Sequence, residues 1–130
     1  MSKTLLVTGA SRGIGYQTVI HLAKKGHTVI ATARSADKLN ALADSTSSGK
    51  IIPVTADLTV TDSIQKLVNT VTDLGRLDGL INNAGAVHRE SFVDTDIEVF
   101  QHLMDVNVFG IVRLTKALKK YLGEGSHILN

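Results

Sequence analysis

The sequence predicts an open α/β sheet of parallel strands with helices on both faces. Three observations carry this. Short β-branched runs alternate with helical apolar spacing along the whole chain, a glycine-rich loop separates the first strand from the first helix, and the single proline falls where an edge strand tolerates it. The 130 residues are enough for one domain, expected to span 1–130, and 43% hydrophobic content with 20% charge is globular.

Residues 5–7, Leu-Leu-Val, form a buried-strand run ending at Thr8-Gly9. From Ile14 the spacing turns helical, with Ile14, Thr18, Val19, Leu22 and Ala23 on one face and Gly26 placed to end the helix. Residues 27–33 read as the second strand. Ser35 is positioned to cap a short helix whose inner face is Leu39, Leu42 and Ala43. A polar loop over 44–50 follows, then a third strand over 51–56, where Pro53 removes one ladder donor and so belongs on a rim.

Thr61 is expected to cap a helix with Ile64, Leu67, Val68, Val71 and Leu74 inward and Gly75 at its end. Residues 77–82 are the fourth strand. Residues 95–122 read as mostly helical, with Val99, Phe100, Leu103, Met104, Val108, Ile111, Val112, Leu114, Thr115 and Leu118 recurring at threes and fours. Gly123-Glu124-Gly125 turns the chain into a fifth strand over 127–130. Right-handed crossovers suggest the order 3-2-1-4-5, which leaves the fourth and fifth strands bare on the face covered by the first two helices.

Composition excludes several functions. Fourteen basic against twelve acidic residues leave a net charge of +2, with no concentrated basic face for nucleic acid. No apolar run reaches the roughly 18 residues of a membrane span. There is no cysteine, which removes thiol chemistry and disulfides and fits a cytoplasmic protein. The five histidines show no metal-ligand spacing, so no metal is expected.

Gly9, Gly13 and Gly15 lie between strand and helix, where a phosphate would meet unsatisfied N–H groups and the positive end of the helix dipole. Gly9 permits the turn, Gly13 the approach of a ligand and Gly15 close packing. At the end of the second strand an NAD site usually carries an Asp or Glu. Ala33 stands there, followed by Arg34. With no carboxylate to repel a 2′-phosphate, and with Arg12 available from the loop, NADP(H) is expected over NAD(H). Both arginines also read as ordinary solvated residues.

With Thr8-Gly9-Ala10-Ser11-Arg12-Gly13-Ile14-Gly15, Asn82-Asn83-Ala84-Gly85 after the fourth strand, Asp57-Leu58 after the third and Asp105-Val106-Asn107-Val108 in the long helix, the chain resembles the classical short-chain dehydrogenase/reductase family. The resemblance runs from Lys3 to Asn130 and implies a Rossmann-like fold and a nicotinamide-dependent oxidoreductase. It implies that Gly9, Ser11, Arg12, Gly13, Ile14 and Gly15 cradle the cofactor phosphates and that Arg34 takes the 2′-phosphate. Asp57 and Leu58 would flank adenine, and Asn83, Ala84 and Gly85 would line the nicotinamide-side ribose. Asn107 would belong to the family's catalytic tetrad, where it orders a water. Plainer roles stay open: Asp57 as the cap of a turn, Asn82 as a partner of backbone groups, Asn107 as a helix-kink residue.

The family pattern breaks at the remaining catalytic positions. A tyrosine with a lysine four residues later is required, but Ile20 follows Tyr16 at that spacing and Gly125 follows Tyr121. Ser126 stands on the wrong end of the fifth strand. The chain is therefore expected to bind NADP(H) without turning substrate over by itself. Two other readings remain, a half-enzyme completed by a partner chain and a structural or engineered fragment that binds no cofactor. The bare sheet face and edge, or the helix over 95–122, predict a homo-oligomer.

Overall fold

The computed structural model describes residues 1–45 and 48–130. Five strands, β1 (Thr4–Thr8), β2 (Thr28–Ala33), β3 (Lys50–Thr55), β4 (Gly79–Ile81) and β5 (His127–Leu129), form one parallel sheet in the order β3-β2-β1-β4-β5. The helices are α1 (Gly13–Lys24), α2 (Ala36–Ala43), α3 (Thr61–Leu74), α4 (Ile97–Met104) and α5 (Gly110–Leu118). A π-helical turn, Asp105–Phe109, joins α4 to α5, and a 3-10 turn, Lys119–Tyr121, follows α5. Of the polar loop expected over 44–50, residues 46 and 47 lie outside the described residues.

Alternating side chains build two cores. Leu6, Ile30 and Leu80 face Ile64, Leu67 and Val71 of α3 and Leu114 and Leu118 of α5. Val7, Val29 and Ala31 face Val19 and Ala23 of α1 and Leu39 and Leu42 of α2. Each fully buried aliphatic side chain contributes roughly 1.5–3 kcal/mol, so the two clusters dominate the stability of the sheet. Pro53 sits opposite Ala31 on the outer strand, where its missing N–H faces no further strand.

Several expectations need correction. Ile14 is 79% exposed, because in the first turn of α1 it is Gly15 that faces the end of β1 and is buried. Val60, not Thr61, is the N-cap of α3, and Thr61 is its first helical residue. The fourth strand is three residues long, Gly79–Ile81: the Asp78 N–H still bonds the Thr4 carbonyl of β1, but the Leu77 N–H turns away from the sheet to the Tyr121 carbonyl. Met104, Val108 and Val112 are exposed at 47%, 40% and 47%, so only the Leu114 and Leu118 side of the long helix reaches the core.

Gly26 and Gly75 end α1 and α3 in the left-handed conformation, as placed. On the α1 side of the sheet, Ile81 is half-buried and Leu129 is 62% exposed, so the β4–β5 flank there is uncovered. Among the described residues, no helix is long and apolar enough to cross a membrane.

Candidate functional site

The carboxyl ends of β1 to β4 open on a cavity of about 560 Å³. Thr8 and Gly9 come from the end of β1, Thr32 and Ala33 from β2, Ala56 to Thr59 from the chain after β3, and Asn83 to Ala86 from the chain after β4. This is where an open α/β sheet holds its ligand, because the strand order reverses between β1 and β4 and the two connections diverge there.

The glycine loop is shaped by three different constraints. Gly9 has φ +65°, and a Cβ there would meet Ala84 Cα at 2.9 Å. Gly15 cannot hold a side chain at all: a Cβ would lie 2.3 Å from the Gly9 carbonyl oxygen and 2.5 Å from Asn83 Nδ2. Gly13 has φ +58° and nothing within 4 Å of its would-be Cβ, which leaves the start of α1 open to the cavity. Arg12 supplies no side-chain cap and the first turn holds no acid. The first N–H groups of α1 therefore lack the partners that a helix start normally finds in its own chain.

A small hydrogen-bond network ties this loop to the Asn-Asn-Ala-Gly segment. The backbone N–H groups of Asn83 and Ala84 donate to Thr8 Oγ1 at 3.0 and 2.9 Å. Asn83 Nδ2 returns two bonds, to the Thr8 carbonyl at 3.1 Å and the Gly9 carbonyl at 3.2 Å. Asn82 faces the other way, donating from Nδ2 to Asn130 Oδ1 at 2.9 Å across β4 and β5. The two asparagines thus divide the work: Asn83 holds the loop and Asn82 holds the strand ends.

Asp57 Oδ1 accepts from the Thr59 N–H at 2.9 Å and from Thr59 Oγ1 at 2.7 Å. These bonds hold its carboxyl below the ordinary value, helped by the nearby charges of Arg34 and His102 and opposed by partial burial. So Asp57 does cap a turn, and it lines the cavity while doing so. Leu58 also lines the cavity, yet its side chain is buried in the α3–α5 core, where a Cβ on Gly110 would touch it at 3.1 Å.

Of the residues named for the cofactor, all but Gly15 line this cavity: Gly9, Ser11, Arg12, Gly13, Ile14, Arg34, Asp57, Leu58, Asn83, Ala84 and Gly85. Ile14, misplaced as core, belongs to the cavity wall instead. Asn107 does not line it. Its side chain lies behind the wall on the Ala86 peptide. Sequence reasoning missed Lys38 and His102, both on the wall. Lys38 had a local signal in its place after Ser35, whereas His102 had none, because only tertiary packing brings α4 over Asp57.

Neither tyrosine lines the cavity. Tyr121 lies at the amino end of the sheet, with its hydroxyl bonded to Thr72 and Lys120 Nζ 4.9 Å from its ring centre. Ser126 precedes β5, and its hydroxyl donates to the Leu77 carbonyl at 2.9 Å. Among the described residues, no three potential metal ligands converge.

Five parallel strands in this order, with helices on both faces, define a Rossmann-like α/β protein. The family model for short chain dehydrogenase matches residues 3–130, and the chain belongs to the short-chain dehydrogenase/reductase family. It is 36% identical over 118 residues to an NADPH-dependent pterin aldehyde reductase of Arabidopsis thaliana, a match covering 88% of this chain and 49% of that one. A crystal structure of a dehydrogenase/reductase from Sinorhizobium meliloti superposes with a TM-score of 0.91 at 31% identity, over 98% of this chain and 53% of that one. L-sorbose reductase from Gluconobacter frateurii, solved with NADPH and L-sorbose, superposes with a TM-score of 0.87 at 28% identity, over 93% of this chain and 48% of that one. The chain spans about half the length of the curated relatives it matches.

Proposed function

We propose that residues 1–130 act as one NADP(H)-binding domain of a short-chain dehydrogenase/reductase, with NADP(H) preferred over NAD(H). The observation that carries this reading is the charge of the cavity wall: Arg12 and Arg34 line it, and no carboxylate stands at the end of β2. An acid there would accept the ribose hydroxyls of NAD and repel a 2′-phosphate; a guanidinium reverses both preferences. The relatives support it to the extent that one is an NADPH-dependent reductase and another was solved with NADPH.

The residues present fit a dinucleotide. The open start of α1 at Gly13 and Ile14, with Ser11 and Gly9 before it, takes the pyrophosphate, and Gly15 packs behind it to bring the helix close. Arg34 takes the 2′-phosphate, with Arg12 across from it. Asp57 and Leu58 border adenine, and Asn83, Ala84 and Gly85 border the nicotinamide-side ribose. A bound nicotinamide exchanges a hydride with a carbonyl or alcohol carbon. No tyrosine of this chain stands at the cavity to move the accompanying proton, so the chain alone binds the cofactor without turnover.

The same reading takes the protein as cytoplasmic and as a homo-oligomer, through the uncovered β4–β5 face and edge or the helix over 95–122. The uncovered flank also favours a second reading, a half-enzyme completed by a partner chain. A rise in NADPH oxidation on adding a polypeptide equivalent to the unmatched half of the relatives would support it.

Calorimetric titration with NADPH and, separately, NADH tests the main reading. Saturable binding that favours NADPH is expected. No binding of either by a folded sample would overturn it and leave a structural fragment in which the motif is sequence only.

A further inference from the structure

We propose that His102 is a nucleobase contact: its ring packs with Val106 on one face of the cofactor's adenine, and a base held there fixes helix α4 to the rest of the domain. This rests on the dinucleotide reading above. The first observation is where α4 reaches the cavity. His102, and Val106 in the π-helical turn that follows, are the residues this stretch contributes to the wall. They are four residues apart, which sets them on neighbouring turns of one side. His102 also stands close enough to Asp57 for its charge to favour the ionised carboxyl.

A base has an edge and two faces. Asp57 and Leu58 come from one short segment after β3, so a face must be covered from another element. An imidazole beside an isopropyl group is a surface on which a base stacks.

The second observation is that the chain itself buries no residue of α4. By contrast, α3 buries Ile64, Leu67 and Val71, and α5 buries Leu114 and Leu118. Eight residues are too few for a helix to stand by propensity alone. The Asn107 bonds to Ala86 hold α4 from its far end, and the Phe100 ring lies 5.6 Å from that of Phe92. Among the described residues, His102 forms no hydrogen bond or ion pair. Its place in the last turn suits a basic side chain at the negative end of a helix, but that accounts for the residue type and not for its place on the wall. A stacked base gives α4 a packing partner on its cavity side.

The test uses the full chain in calorimetry and in hydrogen exchange followed by mass spectrometry. NADPH, and 5′-AMP at saturation, are expected to slow exchange over 97–104 severalfold. His102→Ala is expected to weaken NADPH by about tenfold, the lower end of what one stacked base contributes, and to abolish the slowing over 97–104 while the glycine loop keeps its own. His102→Phe restores a flat ring and is expected to regain both. Because His102 is exposed, both variants should melt with the unsubstituted chain. NADPH binding by His102→Ala equal to that of the unsubstituted chain overturns the proposal and leaves the dinucleotide reading intact. Exchange over 97–104 that ignores saturating 5′-AMP, or His102→Phe as weak as His102→Ala, overturns it as well. So does a loss of binding that comes with a lower melting temperature of ligand-free His102→Ala, since the role is then structural. If the unsubstituted chain binds no NADPH, the dinucleotide reading falls and His102 falls with it.

Discussion

Asn107 holds Ala86 by both sides of its backbone. Its Oδ1 accepts the Ala86 N–H at 2.9 Å and its Nδ2 donates to the Ala86 carbonyl at 2.9 Å. The side chain comes from the π-helical turn between α4 and α5, and the peptide comes from the loop after β4, so the pair locks the long helix to the cavity wall. Wide helical turns of this kind recur at functional sites. An amide engaged in this way positions the segment after Gly85, and any effect it has on a bound nicotinamide passes through that segment.

Asn107→Ala should therefore loosen the wall before it affects anything else. Two neutral hydrogen bonds are lost, and the variant should unfold with a stability lower by about 2 kcal/mol. Urea unfolding followed by circular dichroism measures this. An unchanged midpoint would mean that the loop after β4 holds its shape without the asparagine.

The glycine loop makes a contrast that one type of substitution exposes. Gly15→Ala pushes a methyl group against the Gly9 carbonyl, which is backbone, and against Asn83 Nδ2, which is held by its two bonds to the loop, and should cost about 3 kcal/mol or more. Gly13→Ala meets no atom and bears only the left-handed backbone, a cost of about 1–2 kcal/mol. Its methyl group stands where a phosphate would approach, so it should impair NADPH binding more than its modest loss of stability suggests. Denaturation and calorimetry on both variants separate packing from access.

How far the sequence reaches is visible in these same residues. The strand order, the rim position of Pro53 and the division of the core between two faces followed from alternation, one proline and the right-handed crossover. The glycine loop was legible because each glycine answers a local backbone demand. Helix faces were harder: Ile14, Met104, Val108 and Val112 are apolar at helical spacing, yet they are exposed. Periodicity reports which side chains share a face, not whether anything lies opposite. His102 was invisible for a related reason, since its neighbour Asp57 is far away in sequence.

Arg34→Asp reverses the charge at the end of β2 and restores the acid that an NAD site prefers. NADPH binding should weaken by about a hundredfold, from a lost charged hydrogen bond and a new repulsion, while NADH binding should be kept or improved. Parallel titrations with the two cofactors give the ratio. Equal weakening of both would remove Arg34 as the 2′-phosphate contact.

Asp57 links the site to acid stability. Its carboxyl titrates below the ordinary 3.8 in the folded chain, chiefly because the Thr59 N–H and hydroxyl bond its charged form. A folded-state value below the unfolded one means that the native chain resists protonation. The stabilisation is thus present above about pH 4 and is lost as pH falls from there through the folded value. Asp57→Asn should flatten the fall of stability with pH in that window and leave its shape near neutrality unchanged. Urea midpoints across the acid range for both proteins test this; parallel curves would show that the Thr59 bonds contribute nothing to folding.

The long helix carries the last prediction. Met104, Val108 and Val112 recur every fourth residue and are all about half exposed, so a single apolar stripe runs across the π-helical turn. Its neighbours Asp105 and Arg113 pair with each other. The stripe is therefore flanked by a satisfied ion pair, and the exposed Lys116 stands at its far end. Scattered exposed apolar residues are ordinary, but a continuous stripe on a helix favours association. If the helix over 95–122 is the contact, Val108→Glu should return the protein to a monomer, because it buries a charge at the centre of a two-fold contact without touching the core. If the edge of β5 is the contact instead, Val108→Glu should leave the mass unchanged while Ile128→Lys lowers it. Light scattering at micromolar concentration decides between them, and a mass of 13.9 kDa for the unsubstituted chain would remove the oligomer altogether.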